Sequence, residues 1–218
     1  MADLLQLIGS FALFKGLSAD NIDKALKLLG AEKRRYIRGE ALNRPSEPLD
    51  RFGLVLDGCV QVFQYDASGD TTLMASVESG KSFGESLNYL GIPAHVFINA
   101  AVDTEVLCLD IRRLSHRTGD HFEIELLERF TALLARKTLE MNNRIQMLSK
   151  LTIRDKLMTF FLQCELSSGN NEFTIPFDRE QMSVYLGVNR SSLSRELSAM
   201  KKDGIIDFSK NRIRLLRS

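Results

Sequence analysis

The sequence predicts an α+β fold in three consecutive parts: an antiparallel β jelly roll, one long helix, and a C-terminal helix–turn–helix with a β-hairpin wing. Between Tyr36 and about Asp110, short apolar runs alternate with turn signals roughly every ten residues, which is typical of a jelly roll. Residues 121–148 form the longest helix-compatible run. Two short helical patterns then flank a glycine and precede two strand patterns. The predicted domains are 1–115, 116–148 and 149–218.

Charge is unevenly distributed along the chain. The 218 residues carry a formal net charge of only +1. From Leu148 onward there are 12 basic and 8 acidic residues, so this part carries +4 and the remainder −3. A basic C-terminal part suits a polyanionic partner. No apolar run approaches the ~18 residues of a membrane span, and the N-terminus has no basic leader pattern, so we expect a soluble, cytoplasmic protein.

The three cysteines give no sign of a metal or disulfide framework. Cys59, Cys108 and Cys164 are far apart, and no C-x-x-C pair exists. We expect three buried thiols.

The first hundred residues contain several local signals. Ser18 is an expected N-cap of a helix that ends near Gly30. Asp57-Gly58 is a hairpin dipeptide and predicts a tight turn between two paired strands, and another turn is expected near Ser68-Gly69.

One stretch, residues 83–95, interrupts the strand pattern. Its middle predicts a short helix that starts after Gly84 and ends at Gly91. A glycine before a helix N-terminus lets backbone N–H groups approach an anion. The loop from Phe83 to Phe97 contains no Arg or Lys.

The long helical run carries a heptad pattern. One row repeats every seven residues and a second row lies between its members. Such a seam predicts a parallel helix pair and hence a homodimer. The alternative is packing on the chain's own barrel, and we expect the upper half of the helix to do both. The first row is Leu127, Leu134, Met141 and Leu148, and the second is Thr131, Thr138 and Ile145.

Near the C-terminus, capping residues delimit two helices. Asp178 is an N-cap candidate with Gln181 three residues on, as in a capping box. Gly187 can close this helix in the left-handed conformation, and Asn189 can cap the next. Leu151 to Leu166 predicts a further helix before this pair.

The second of these helices has one apolar and one polar face. Leu193, Leu197 and Met200 should pack inward. Arginine matches the edge of guanine and serine can bond several base edges, so the opposite face is typical of a recognition helix in the major groove. Lys210 and Arg212 beside the wing turn are expected phosphate contacts. The predicted reading residues are Asn189, Arg190, Ser191, Ser194 and Arg195.

The run LGVNRSSLSRELSAMKKDGII resembles the winged helix-turn-helix of the Crp/Fnr family of bacterial transcription regulators, and the order of parts is similar over the whole chain. The resemblance implies a homodimer that binds a palindromic DNA operator, with RNA polymerase as a further partner. Arg190 and Arg195 match positions with which family members read DNA. Ser191 stands where many members carry a Glu that accepts from cytosine, so their usual half-sites are not implied.

The resemblance extends to the stretch around Gly84, which is similar to the family's cyclic-nucleotide cassette. Gly84 and Glu85 match its opening, in which the Glu accepts from a ribose hydroxyl. Ala94-His95 stands where the family's phosphate-binding Arg-Ser pair belongs. The resemblance therefore implies a cyclic-nucleotide-binding-like domain, controlled by a small effector that we expect not to be cyclic AMP. Its expected pocket comprises Phe83, Gly84, Glu85, Ser86, Tyr89 and His95 with, by similarity, Arg136, Leu139 and Glu140.

Several alternatives remain open at this point. Glu85 can instead be a carboxylate satisfied by nearby backbone N–H groups. His95 can be considered as a haem ligand, although no axial partner is evident, and no cysteine precedes Cys59 to hold an iron–sulfur cluster as in some relatives. A cupin-like jelly-roll metalloenzyme needs clustered ligands. The histidines at 95, 116 and 121 form no H-x-H pair, so no enzymatic activity and no metal site are expected. A regulator without any small-molecule ligand is the third alternative.

Overall fold

A computed structural model divides the chain into two compact units, residues 1–135 and 136–218. The boundary falls inside the longest helix, so the three-part division proposed above stays a prediction. The wing turn, both helices of the helix–turn–helix and most of the jelly roll belong to the described part of the chain. The structure describes residues 2–65, 71–114, 120–175 and 177–216.

The first unit begins with two helices, α1 (Ala2–Ser10) and α2 (Ala19–Leu28). Ser18 caps α2 as expected, because its hydroxyl accepts from the backbone N–H of Asn21 at 3.2 Å. Ile8 and Ile22 are buried in the same core, so the helices cover one side of the unit.

Seven strands follow and form two antiparallel sheets, which confirms the jelly-roll prediction. One sheet has the order β1-β7-β2-β5 and the other β4-β3-β6. A cluster of branched apolar side chains, among them Val55, Val60, Ile98 and Val106, forms the core of these strands. The strands are β1 (Glu32–Tyr36), β2 (Phe52–Asp57), β3 (Cys59–Tyr65), β4 (Thr71–Glu78), β5 (Ser82–Phe83), β6 (Val96–Ala100) and β7 (Thr104–Leu109).

The hairpin prediction at Asp57-Gly58 is wrong. β2 pairs with β5 and β7, whereas β3 pairs with β4 and β6, so the dipeptide carries the chain from one sheet into the other. Gly58 has φ 87°, and a methyl group there would overlap Thr104. Close approach to the start of β7, rather than a two-residue hairpin, therefore requires the glycine. The turn expected near Ser68-Gly69 lies outside the described residues.

The short helix predicted after Gly84 is confirmed as α3 (Glu85–Leu90), with left-handed glycines at both ends. Asn88 is fully buried on it. Its Nδ2 donates to the carbonyls of Leu49 at 3.2 Å and Asp50 at 2.7 Å, and its Oδ1 accepts from the N–H of Ile111 at 3.0 Å. Asn88 therefore ties α3 to the segment before β2 and to a 3₁₀ turn, Ile111–Leu114.

The long helix is α4 (His121–Leu148). Leu126, Phe130 and Leu133 are buried in the core of the first unit, and Leu127 and Leu134 pack half-buried against it. The remaining members of the heptad rows, Thr131, Thr138, Met141, Ile145 and Leu148, are exposed. The upper half of α4 therefore packs on its own domain, as expected, and the lower half of the seam is left open to solvent.

The second unit contains the predicted helix–turn–helix, with two differences around it. The preceding helix starts at Thr152, whose side chain accepts from the N–H of Asp155 at 3.0 Å, and Leu151 is 99% exposed. The wing has three strands instead of two, in the order β8-β10-β9. The elements are α5 (Ile153–Ser168), β8 (Glu172–Thr174), α6 (Arg179–Leu186), α7 (Arg190–Lys202), β9 (Ile206–Ser209) and β10 (Arg212–Leu215).

Gly53 in β2 provides a test of jelly-roll packing. A methyl group there would overlap the ring of Phe83 and a methyl of Val106, both in the core. Gly53→Ala should therefore lower the free energy of unfolding of the first unit by about 1–3 kcal/mol through overpacking. Chemical denaturation measures this. Gly9→Ala in α1 is the control, because its methyl would meet Ile22 at an ordinary 3.4 Å. Equal stability of the two variants would contradict the packing described here.

Candidate DNA-reading surface and effector region

Capping residues delimit α6 at both ends and mark the start of α7. Asp178 accepts from the N–H of Gln181 at 2.8 Å, and Gln181 accepts from the N–H of Asp178 at 3.0 Å, which completes the predicted capping box. Gly187 ends α6 at φ 61°. Asn189 caps α7 and accepts from both the N–H and the hydroxyl of Ser191, at 2.9 and 2.6 Å. Local hydrogen bonds therefore set the start of α7.

The two faces of α7 are divided as predicted. Leu193, Leu197 and Met200 are buried in the core of the second unit together with Phe161 and Met182. The opposite face is polar and solvent-exposed. It comprises Arg190, Ser191, Ser194 and Arg195, and the cap Asn189 is exposed beside them.

Ion pairs with α5 hold α7 in place from its inner side. Arg154 donates to Glu196 at 2.6 Å and contacts Asp203 at 2.8 Å. Lys156 donates to the carbonyl of Leu186 at 3.1 Å, at the C-terminal end of α6. Because Glu196 is paired inward, its charge does not oppose the cations of the outer face.

Both arginines of the outer face have local partners. Arg190 forms an ion pair with Glu180 at 2.7 Å, and both side chains are 64% exposed. Arg195 donates to the carbonyl of Ser191 at 3.4 Å and to Ser192 Oγ at 3.2 Å. Exposed ion pairs contribute only about 0–1 kcal/mol to stability. Arg190 can therefore leave Glu180 and bind a nucleic acid at a small cost in free energy.

The tip of the wing is a two-residue turn, since Ser209 pairs directly with Arg212. Lys210 lies in this turn with φ 53° and is exposed. Arg179 donates to the carbonyl of Lys210 at 3.0 Å and stands 5.0 Å from the ring centre of Phe208. Burial lowers the pKa of the Arg179 guanidinium. Sequence reasoning missed Arg179, which fixes the turn that presents Lys210, because that contact depends on the folded wing.

Glu172 on β8 is the second residue that sequence reasoning missed. It pairs with Arg214 at 2.6 Å and also with Arg212, and the hydrogen bond from Arg214 lowers its pKa. The expected phosphate contact of Arg212 therefore competes with Glu172 and stays a prediction. Within the described residues, Lys210 forms no ion pair with a carboxylate.

The residues expected around an effector are spread over both units. Phe83 and Glu85 are buried, while Ser86, Tyr89 and His95 are exposed. The ring of Tyr89 lies 5.7 Å from that of Phe130 on α4. Gly84 is the half-buried N-cap of α3. The three helix residues Arg136, Leu139 and Glu140 belong to the second unit and are exposed, so their part in a pocket stays a prediction.

Within the described residues, no group of three or more His, Cys, Asp or Glu side chains could hold a metal ion. His116 lies outside those residues.

Burial raises the pKa of the Cys108 thiol, and that of Cys164 to about 11. In the described part of the chain, no helix is both long and apolar enough to cross a bilayer.

Comparisons with known proteins agree with both halves of this structure. The profile of the cyclic nucleotide-binding domain matches residues 33–116, and that of the Crp-like helix-turn-helix domain matches residues 155–217. The transcriptional regulatory protein btr of Bordetella pertussis is 23% identical over 219 residues, which cover 96% of this chain and 87% of that protein.

Two solved structures share the fold at low sequence identity. The Thermus thermophilus catabolite activator protein has a TM-score of 0.51 and 24% identity, with 94% of this chain and 93% of that chain covered. The c-di-GMP responsive global regulator CLP of Xanthomonas campestris has a TM-score of 0.53 and 16% identity, with 92% and 100% covered.

A jelly-roll domain followed by a winged helix-turn-helix with a cationic outer face defines a DNA-binding transcription regulator. The chain belongs to the Crp/Fnr family of these regulators, and it carries the family's cyclic nucleotide-binding domain and Crp-like helix-turn-helix.

Arg195 tests the assignment of the reading face. Arg195→Ala should cost about 1–3 kcal/mol at the specific site and flatten the base preference at one position. Lys210→Ala is the matched comparison, because loss of a phosphate contact should weaken all sequences alike and reduce the salt dependence. Fluorescence anisotropy on a selected site and its single-base variants measures both. An unchanged affinity and base preference in Arg195→Ala would place the reading face elsewhere.

Proposed function

We propose that the protein is a homodimeric, effector-controlled transcription regulator that binds a palindromic operator. The observation that carries the proposal is the polar, exposed outer face of α7, together with the exposed Lys210 at the tip of the wing. A dimer would place two α7 helices in successive major grooves about 34 Å apart. Differential binding of the effector to two arrangements of the α4 pair would shift the DNA-binding equilibrium. RNA polymerase would be a further partner, and the cytoplasm, where the DNA lies, would be the site of action.

The support for a dimer is the exposed lower half of the heptad seam. Met141 is 64% exposed and Ile145 58%, although both are large apolar residues. They follow each other at helical spacing and continue to Leu148. An apolar stripe of this kind on one helix is the pattern that a parallel partner helix covers.

Charge on the seam tests this dimer. Met141→Lys should weaken the dimer strongly, because two lysines would meet in an apolar seam. Analytical ultracentrifugation across a dilution series measures the association. Asn143→Lys is the control, since Asn143 lies two positions after Met141, is exposed, and belongs to neither row of the heptad seam. A tight dimer in Met141→Lys would move the interface away from α4.

The support for an effector other than a cyclic nucleotide is the absence of cations in the cassette. The loop from Phe83 to Phe97 contains no Arg or Lys, and Ala94 with His95 occupies the place of the expected Arg-Ser pair. Burying the phosphodiester charge without a paired cation is very costly. Histidine is mostly neutral at pH 7, so His95 is a weak substitute. An apolar or aromatic effector fits Phe83 and Tyr89 better.

Calorimetry with cyclic AMP tests the effector proposal. We expect no saturation at about micromolar concentrations. Cyclic GMP should behave in the same way. Tight one-to-one binding of cyclic AMP would overturn the proposal, and its loss in Arg136→Ala would identify Arg136 as the substitute cation.

The alternatives are less well supported. A cupin-type enzyme would need a cluster of metal ligands, whereas the matched family profiles and the relative btr are those of regulators. We therefore propose no catalytic activity. Haem ligation by His95 would require an axial partner, and an absorption spectrum of the native protein tests it.

A further inference from the structure

The first unit contains a cavity that no predicted site explains. It has a volume of about 530 Å³ and lies against the inner side of β1, β2 and β7 and the chain segment between β1 and β2. This volume falls in the range of small-molecule sites, roughly 300–1,000 Å³. Among the residues expected around the effector, only Phe83 lines it. The cavity is therefore a separate candidate site from the cassette.

The deep wall of this cavity is apolar. Leu49, Phe52, Phe83 and Cys108 line it and are all buried. Gly53 lies between them, and its lack of a side chain makes room for the Phe83 ring. A ligand reaching this wall would exchange water for apolar contacts.

The rim of the cavity carries the cations that the cassette lacks. Arg34 donates to both carboxylate oxygens of Glu32, at 3.0 and 2.9 Å. Arg51 lies 3.8 Å from the same carboxylate and donates to the carbonyl of Gly30. Two guanidinium groups therefore share one carboxylate, so these three side chains together carry one net positive charge.

The other charged residues of the rim also lie in ion pairs. Arg44 faces Glu47 at 3.8 Å, and both side chains are mostly exposed. Asp50 lies 3.7 Å from Arg112, which is outside the lining. Arg112 also pairs with Asp110 at 3.0 Å, so Asp50 shares its cation with a second carboxylate, whereas Arg34 and Arg51 together face Glu32.

We infer that this cavity binds a small amphipathic monoanion, a carboxylate on a compact apolar body. The carboxylate would sit between Arg34 and Arg51 and accept from guanidinium N–H groups that Glu32 does not occupy. The body would lie over Leu49 and Phe83. Two guanidinium groups beside one carboxylate suit a monocarboxylate, whereas a dianionic phosphate would meet the carboxylates of Glu47 and Asp50 as well.

Ligand in this cavity would touch residues that pack on the long helix. The Phe52 ring lies 5.9 Å from that of Phe130 on α4, in the part of the helix that belongs to the first unit. Asn88 bonds the carbonyls of Leu49 and Asp50 to α3, whose Tyr89 also contacts Phe130. Binding of the ligand does not depend on the proposed function. An effect of the ligand on DNA affinity, however, rests on the proposed function.

Calorimetry on the full chain tests binding with 3-phenylpropionate and octanoate as probes and their neutral amides as matched controls. We expect saturable one-to-one binding of at least one carboxylate, weaker by about tenfold or more for its amide. Arg34→Gln should weaken binding by a similar factor. Arg35→Gln should leave it unchanged, because Arg35 is the neighbour on β1, pairs with Glu105 and does not line the cavity.

Three outcomes would overturn the inference. The first is that neither carboxylate saturates the protein up to about 1 mM. The second is that the acid and its amide bind with equal affinity. The third is that Arg34→Gln and Arg35→Gln lower the affinity for the carboxylate equally. If Arg34→Gln does not fold, Leu42→Trp decides, since the larger ring would fill the cavity and must abolish binding. DNA affinity of the ligand-free protein, measured in parallel, reports separately on the proposed function.

Discussion

One helix, α4, contributes buried side chains to the cores of both units, and this shared helix is the constraint on which the rest of the structure depends. Phe130 is buried between the helices and sheet of the first unit, and Met147 near the other end of the same helix is buried in the core of the second. One continuous helix is thus a structural part of two cores. Unwinding α4 at either end would expose a buried aromatic or thioether side chain, at a cost of several kcal/mol. The open apolar stripe with Met141 and Ile145 lies between these two anchors.

The features that could be predicted from the sequence are those with a local cause. Asp178 and Asn189 accept hydrogen bonds from residues two or three positions on, so the sequence alone specifies where α6 and α7 begin. The buried face of α7 follows from helical spacing in the same way. By contrast, Asp57-Gly58 has the composition of a hairpin turn but carries the chain from one sheet into the other. This role depends on which distant strands β2 and β3 pair with, and no local pattern encodes that choice.

The candidate sites show the same division. The reading residues lie on one short segment, so their common face could be predicted. The partners that restrain the wing could not, because Arg179 and Glu172 reach Lys210 and Arg212 across 31 and 40 positions only after the three-stranded sheet forms. The cavity in the first unit was missed for a related reason. Arg34 and Arg51 come from different segments, and neither belongs to a recognisable motif.

From the distribution of cations we propose that ligand recognition in this chain differs from the cassette mode. A buried anion needs a positive charge nearby, and the 83–97 loop contains none from Arg or Lys. The guanidinium groups of Arg34 and Arg51 instead converge on Glu32 at the mouth of a partly apolar cavity. Glu32 already orders the Arg34 side chain, so a carboxylate that binds its remaining N–H groups costs less side-chain entropy. Glu32 also offsets part of the attraction for an anion, which favours weakly charged, largely apolar ligands over phosphates.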